Sequence, residues 1–295
     1  MSKTTVKAKK HQKQVLRYYG SKQRIGKWIA SFHPPHYCYV SVCGGGASDL
    51  FTKPPSKFEV YNDLDQNVVN FFKVFRDRRD ELIDAIRWTP FSRAEFELAN
   101  ETFPESGCID PDSLSELERA RRFYIICQQG RSSGSSVWKV TWRRSTGQAY
   151  KRSKTTVQEW NEVDHLYQAA DRLKSVQIDK AHALDIIDLY DDKKALFYLD
   201  PPYFHGTRKH WLKAYRFEWT EEDHIRMADR LQTIKGMAII SGYPSELYEE
   251  LYTRRGWQIE TIKARDNNNR KKIEAIWISP NAQKHRQGTF LEGVA

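Results

Sequence analysis

The stretch YVSVCGGGASDLF, residues 39–51, decides the fold. Aromatic and β-branched side chains fill its first half, the composition of a buried strand. Glycines occupy positions 44–46, and Ala47–Phe51 then opens a helix. Glycines let the backbone come close to a ligand, and a helix N-terminus favours a negative group there. A tight turn also needs glycine, so the triplet by itself fits a binding site or an ordinary turn. The next strand, Phe58–Tyr61 in FEVYND, narrows the choice. In nucleotide-binding α/β folds, an acid ending the second strand about 20 residues on binds ribose hydroxyls. Asp63 stands 19 residues after Gly44. Asp65 is the competing acid, with N-cap of the following helix as its ordinary role.

The rhythm continues outward from this unit. A helix is expected around 23–32, ended by His33-Pro34-Pro35, because proline cannot continue a helix. Residues 65–86 read as one long amphipathic helix, with Val68, Phe71, Phe72 and Phe75 at helical spacing. Further strands are expected at 175–178, 195–199, 237–241, 257–262 and 273–278, with helices at 183–190, 220–234 and 245–254. Strands alternating with helices imply a mostly parallel sheet covered on both faces. The middle, residues 88–174, changes character and looks inserted. Helical stretches at 92–103, 113–127 and 157–174 surround QQGRSSGSSVWKVTWRRSTGQAYKRS (128–153), which has no period and reads as loop and hairpin.

Composition sets the limits. The 295 residues suffice for one large α/β domain with an insertion, or for two smaller domains. Hydrophobic residues make up 39% and aromatics 13%, with mean hydropathy −0.74, which describes a folded protein with a large polar surface. The net charge of +10 is uneven. Residues 1–27 carry lysine and arginine but no acid, and residues 1–14 read as a disordered basic tail. Residues 139–154 carry Lys139, Arg143, Arg144, Lys151, Arg152 and Lys154, again with no acid. Such patches attract polyanions, and binding through them weakens with salt. Trp138, Trp142 and Tyr150 interleave with the second patch. Cys38, Cys43, Cys108 and Cys127 form no CxxC pair, and no histidine cluster has metal spacing, so no metal is expected. No apolar run approaches the roughly 18 residues of a membrane span, and the N-terminus lacks a secretion signal's apolar core. A cytoplasmic protein is expected.

FYLDPPYF (197–204) carries the chemistry. An apolar strand delivers Asp200 to the carboxyl edge of the sheet, where α/β ligand sites lie. Pro201 and Pro202 fix the backbone and remove amide donors, leaving carbonyls free to accept. A carboxylate and a proline carbonyl can together accept both hydrogens of an aromatic amine, and Tyr203 can stack on the base.

These stretches resemble the Dam-type, class α DNA adenine methyltransferases, particularly their divergent phage and prophage forms. RYYGSKQRIGKWI (17–29) is similar to the family's N-terminal motif, YVSVCGGGASDLF to its glycine motif, EVYNDLDQNVVNFF (59–72) to its acidic motif and FYLDPPYF to its catalytic motif. ISGYPSELYEELY (240–252) and KKIEAIWISPNA (271–282) match more weakly, and the middle matches in placement only. The resemblance implies a Rossmann-like sheet for S-adenosylmethionine, formed by 15–87 and 175–295, with a mainly helical target-recognition domain at 88–174. It implies a catalytic Asp200, Pro201, Pro202 and Tyr203. For the donor it implies Tyr18, Tyr19, Gly20, Lys22, Ser41, Cys43, Gly44, Gly45, Gly46, Asp63 and Asp200. The partner implied is double-stranded DNA, bound by a monomer or weak dimer. Arg131, Trp138, Lys139, Arg143, Arg144, Lys151 and Arg152 are the candidate contacts, and Gln128 and Gln129 are candidate adenine readers. Two departures stand out: Ser41 and His182 occupy positions where the family often has acids. Related tetrapeptides serve cytosine-amine, RNA-base and glutamine methylation, but cytosine enzymes usually carry Ser and glutamine enzymes Asn in place of Asp200. A decayed DNA-binding protein is the remaining alternative, against which the intact motifs argue.

Overall fold

A computed structural model describes residues 13–103, 111–131, 140–144, 154–204, 215–265 and 271–292. The first half of the chain gives α1 (Gly26–Ala30), β1 (Cys38–Ser41), α2 (Ser48–Thr52), β2 (Phe58–Asn62), α3 (Gln66–Asp77), α4 (Arg79–Arg87), α5 (Arg93–Asn100) and α6 (Glu116–Gln129). The second gives α7 (Thr156–Asn161), α8 (His165–Leu173), β3 (Val176–Asp179), α9 (Ala183–Tyr190), β4 (Ala195–Leu199), α10 (Glu221–Gln232), β5 (Met237–Gly242), α11 (Glu246–Leu251), β6 (Gln258–Arg265), β7 (Lys271–Ile278) and α12 (Pro280–Glu292). The strands form one seven-stranded sheet in the order β3-β2-β1-β4-β5-β7-β6. β1 to β5 pair in parallel, and β7 runs antiparallel to both neighbours. This is the α/β architecture expected from the sequence.

Side chains sort by the two-residue period of a strand. Tyr39, Tyr61, Leu196, Tyr198, Met237, Ile239, Ile276 and Ile278 face one core. Val40, Val60, Phe197, Leu199, Ala238, Ile240 and Trp277 face the other, covered by α9, α10 and α11. The first core does not stop at the expected domain boundary. It runs without a break from the sheet through Phe71 and Phe75 of α3 to Phe123 and Tyr124 of α6 and Leu166 and Leu173 of α8. A buried ion cluster ties the same layer down. Glu59 of β2, 1% exposed, accepts from Arg172 of α8 at 2.5 and 2.8 Å and from Lys53 at 2.5 Å.

Several expectations need correction. The helix expected at 65–86 is two, because the backbone at Arg78 leaves helical geometry at φ −126°, ψ 44°. Phe75 and Leu82 lie two helical turns apart, so the apolar stripe runs straight through the break and periodicity conceals it. The helix expected at 157–174 likewise divides into α7 and α8 around Glu162–Asp164. α12 was not foreseen. Residues 1–12 of the expected tail lie outside the described residues, whereas Lys13 bonds the Glu162 carboxylate at 3.0 Å and belongs to the fold.

Candidate active site

The chain leaves β1 towards β2 and β3, then returns to place β4 and β5 on the other side. Loops diverge at such a reversal and leave a crevice at the carboxyl ends of the strands. β1 delivers Cys43–Gly46 to this crevice and β4 delivers Asp200. The resulting cleft encloses about 90 Å³ and opens to solvent. Its walls include Tyr18, Tyr19, Gly20, Cys43, Gly44, Gly45, Gly46, Asp63 and Asp200.

The glycine turn is held by named bonds. Gly44 N–H donates to the Asn62 carbonyl at 2.7 Å, and the Tyr61 hydroxyl donates to the Gly45 carbonyl at 2.7 Å. Asp63 accepts from Gly45 N–H at one oxygen and from Asp65 N–H at the other, both at 2.8 Å. The remaining lone pairs of that carboxylate are available to the cleft. Burial raises its pKa to about 6, against the bonds from Asp65 and Gly45 N–H. Asp65 caps α3, accepting from Asn67 N–H at 2.9 Å, and also lines the cleft. The Asp63 carboxylate, an acceptor on the cleft wall, fits a ligand that offers hydroxyl donors such as those of a ribose.

Lys22 reaches Asp200 from the N-terminal segment, its Nζ lying 2.8 Å from both carboxylate oxygens. The same ammonium donates to the Gly20 carbonyl at 2.7 Å, and Lys22 N–H donates to Ser48 Oγ at 2.9 Å. Burial raises the Asp200 pKa to about 6, while Lys22 opposes the rise. The same Nζ stands 4.8 Å from the ring centroid of Tyr203. Asp200, Tyr203 and Lys22 thus form one cluster, of which Asp200 alone lines the cleft.

Other expected residues fall elsewhere. Ser41 is buried in β1 behind the cleft wall rather than in it. His182 is exposed, lines the cleft and caps α9, with Nδ1 3.4 Å from Leu184 N. Gln129 cannot read a base: it is fully buried, donating to the Pro90 carbonyl at 3.1 Å and accepting from Trp142 at 3.4 Å. Gln128 donates to the Val15 carbonyl at 2.8 Å. Gly130 and Trp142 form an antiparallel bridge, so the described part of 128–153 is hairpin-like. Within it Arg131 and Arg144 are exposed, whereas Arg143 pairs with Glu159 at 3.1 Å. Trp138, Lys139, Lys151 and Arg152 lie outside the described residues.

Sequence reasoning missed three contributors. Asn62 bonds the Val42 carbonyl at 2.8 Å and both backbone groups of Ala181, pinning the β1, β2 and β3 ends together. Its neighbour Asp63 drew the reading; the buried amide left no periodic signal. Tyr215, Arg216, Phe217 and Trp219 line the cleft, and the Tyr215 ring packs edge-on against Tyr19. Glu274 of β7 accepts from the Tyr203 hydroxyl at 2.9 Å.

Comparison with known proteins agrees with this geometry. The model of the D12 class N6 adenine-specific DNA methyltransferases matches residues 18–268, which include both sides of the cleft and Asp200–Tyr203. The chain belongs to that family. This D12-class adenine methyltransferase is also similar to the type II methyltransferase M1.LlaDCHI of Lactococcus lactis subsp. cremoris. The two are 26% identical over 266 residues, covering 85% of this chain and 88% of that one. Methylation of adenine N6 in DNA is accordingly the activity of this D12-class enzyme. Among its described residues no group of His, Cys, Asp and Glu can hold a metal, and no helix is long and apolar enough to cross a membrane.

Proposed function

We propose that the cleft holds S-adenosylmethionine and that Asp200, Pro201 and Tyr203 position a flipped adenine beside it. The observation that carries this reading is the placement of Asp200 on the wall of the cleft, with the Tyr203 ring beside the same Lys22 ammonium. Gly44–Gly46 approach the amino-acid end of the donor, Asp63 takes the ribose, and Tyr18–Gly20 cover it. The bound donor supplies an electrophilic sulfonium methyl.

The chain's own residues then orient the acceptor. An adenine amine cannot be reached within the stack, so the base is extruded at a cost of a few kcal/mol, offset by stacking on Tyr203 and by phosphate contacts. Asp200 and the Pro201 carbonyl accept the two amine hydrogens and turn the nitrogen lone pair towards the methyl. Asp200 need not be a strong base, because the nitrogen becomes acidic only as the new bond forms. Most of the acceleration comes from positioning and exclusion of water. Lys22 holds the carboxylate in place throughout. Arg131 and Arg144 are the described cations free to meet phosphate or guanine. The enzyme acts as a monomer or weak dimer, in the cytoplasm where donor and duplex are both present.

Asp200→Ala tests the reading. It is expected to abolish methyl transfer to duplex DNA while DNA binding persists. Retained transfer would overturn the assignment. Calorimetric titration tests the donor, and no heat of binding with S-adenosylmethionine would overturn its placement in the cleft.

A further inference from the structure

We propose that Glu274, with Lys272 and Tyr243, is the positioning device that fixes the ring of Tyr203 for the extruded base. The proposal rests on the reading of Tyr203 given above. Glu274 lies on β7, outside the residues 18–268 shared with the family. It is 4% exposed, yet it is a carboxylate at the catalytic edge of the sheet. A buried charge persists only where partners satisfy it. One partner is the Tyr203 hydroxyl, donating at 2.9 Å. The other is Lys272, two residues earlier on the same face of the strand, which pairs with the Glu274 carboxylate. Lys272 in turn donates to the Tyr243 hydroxyl at 2.9 Å. Tyr243 returns to the start of the circuit, because its ring meets the Tyr203 ring edge-on with centroids 4.6 Å apart.

The consequence is mechanical. The backbone of Asp200–Tyr203 is stiffened by its prolines, but a tyrosine ring still has two side-chain torsions. Here the hydroxyl is held by Glu274, one edge by Tyr243, and the Lys22 ammonium stands over the ring at 4.8 Å. The ring is therefore set before any base arrives, and no ordering remains to be done on binding. Glu274 does not line the cleft and holds Tyr203 directly, while its charge also adds to the rise of the Asp200 pKa. An antiparallel strand is the element able to supply this group, since β7 begins at the edge where the parallel strands end.

A double-mutant cycle on the full-length enzyme tests the proposal. The variants are Glu274→Ala, Tyr203→Phe and the pair, each measured in single turnover on duplex carrying the target site. Glu274→Ala is expected to slow transfer about ten- to a hundredfold, the loss that misplacement of a positioning group produces. Affinity for S-adenosylmethionine should change less than about twofold. Fluorescence of 2-aminopurine at the target adenine should report a less uniformly held extruded base. Against Tyr203→Phe, which already lacks the hydroxyl, Glu274→Ala should cost little more, because the two act as one unit. Full additivity of the two losses would overturn the proposal. Glu274→Gln, which keeps the shape and an acceptor oxygen, should recover part of the rate and serves if the alanine variant misfolds. A glutamine variant with unchanged rate and unchanged fluorescence across both tyrosine backgrounds, alongside an alanine variant equally unchanged, would also overturn it. Loss of activity in Asp200→Ala is independent of these outcomes, so the failure of either idea can be told from failure of the other.

Discussion

Asp200 carries two opposed influences. Burial disfavours its charge and the Lys22 ammonium favours it, leaving the pKa near 6. If the ionised carboxylate is the form that accepts the amine hydrogens, transfer falls as pH drops through about 6. Removing the ammonium removes the influence that lowers the pKa, so it must rise further. Lys22→Met is thus expected to move the acid limb of the single-turnover pH profile to higher pH, as well as slowing the reaction. An unchanged limb would separate Lys22 from the ionisation of Asp200. The glycine turn gives a second prediction at this scale. A Cβ on Gly44 would lie 2.3 Å from Cε2 of Tyr61, a rigid ring packed against Phe72 and bonded to Gly45. The backbone must therefore move, taking the glycine turn of the cleft wall with it. Gly44→Ala is expected to weaken S-adenosylmethionine binding at least about tenfold by calorimetry, the effect of a displaced positioning group. Binding within error of the unaltered enzyme would show that the turn does not carry the donor.

Between elements, the ion cluster of Glu59, Lys53 and Arg172 fastens α8 to β2. Breaking a buried pair leaves a charge without its partner and costs about 3–5 kcal/mol. Arg172→Ala should fall at the lower end, about 3 kcal/mol, because Lys53 still neutralises Glu59. Urea unfolding measures it, and a loss below about 1 kcal/mol, the range of surface pairs, would place the cluster outside the stabilising core. Its partners hold the Glu59 pKa below the usual carboxylate value. This contribution is accordingly present above the unfolded carboxylate pKa and disappears as pH falls through the folded one. None of this cluster was legible in the sequence, since its members lie on a loop, a strand and a helix joined only by the fold. What was legible had a local signature. The β1 turn, Asp63 and the β4 tetrapeptide announce themselves by glycine, proline and the two-residue period, and all meet at the crevice. The break at Arg78 did not, because the apolar stripe of α3 continues in register into α4. Glu274 did not either, because a single acid in the apolar strand KKIEAIWI reads as an edge residue until β7 is known to start beside Tyr203.

For the whole molecule, charge and core lead to different experiments. The net charge of +10 predicts affinity for DNA that falls with salt. Arg144→Ala should reduce the slope of log affinity against log salt by about one phosphate contact. Arg143→Ala should leave that slope unchanged and lower stability instead, because Arg143 is committed to Glu159. The core bears on the middle region. If residues 88–174 were a separate lobe, they would bury their own apolar surface and could unfold apart from the sheet. They do not: Phe123, Tyr124, Leu166 and Leu173 pack into the same cluster as Tyr61, Leu196 and Phe71. Removing α6 and α8 would expose Phe71 and Phe75 of α3, the helix that packs against the sheet. The middle region is therefore built on helices that share the core of the sheet. Urea unfolding is expected to be a single transition, coincident by tryptophan fluorescence, by far-ultraviolet circular dichroism and by loss of S-adenosylmethionine binding. A chain lacking 88–174 should fail to give a cooperative transition. Two separated transitions, or a folded deletion chain that still binds the donor, would show that the shared core is not what couples target recognition to catalysis.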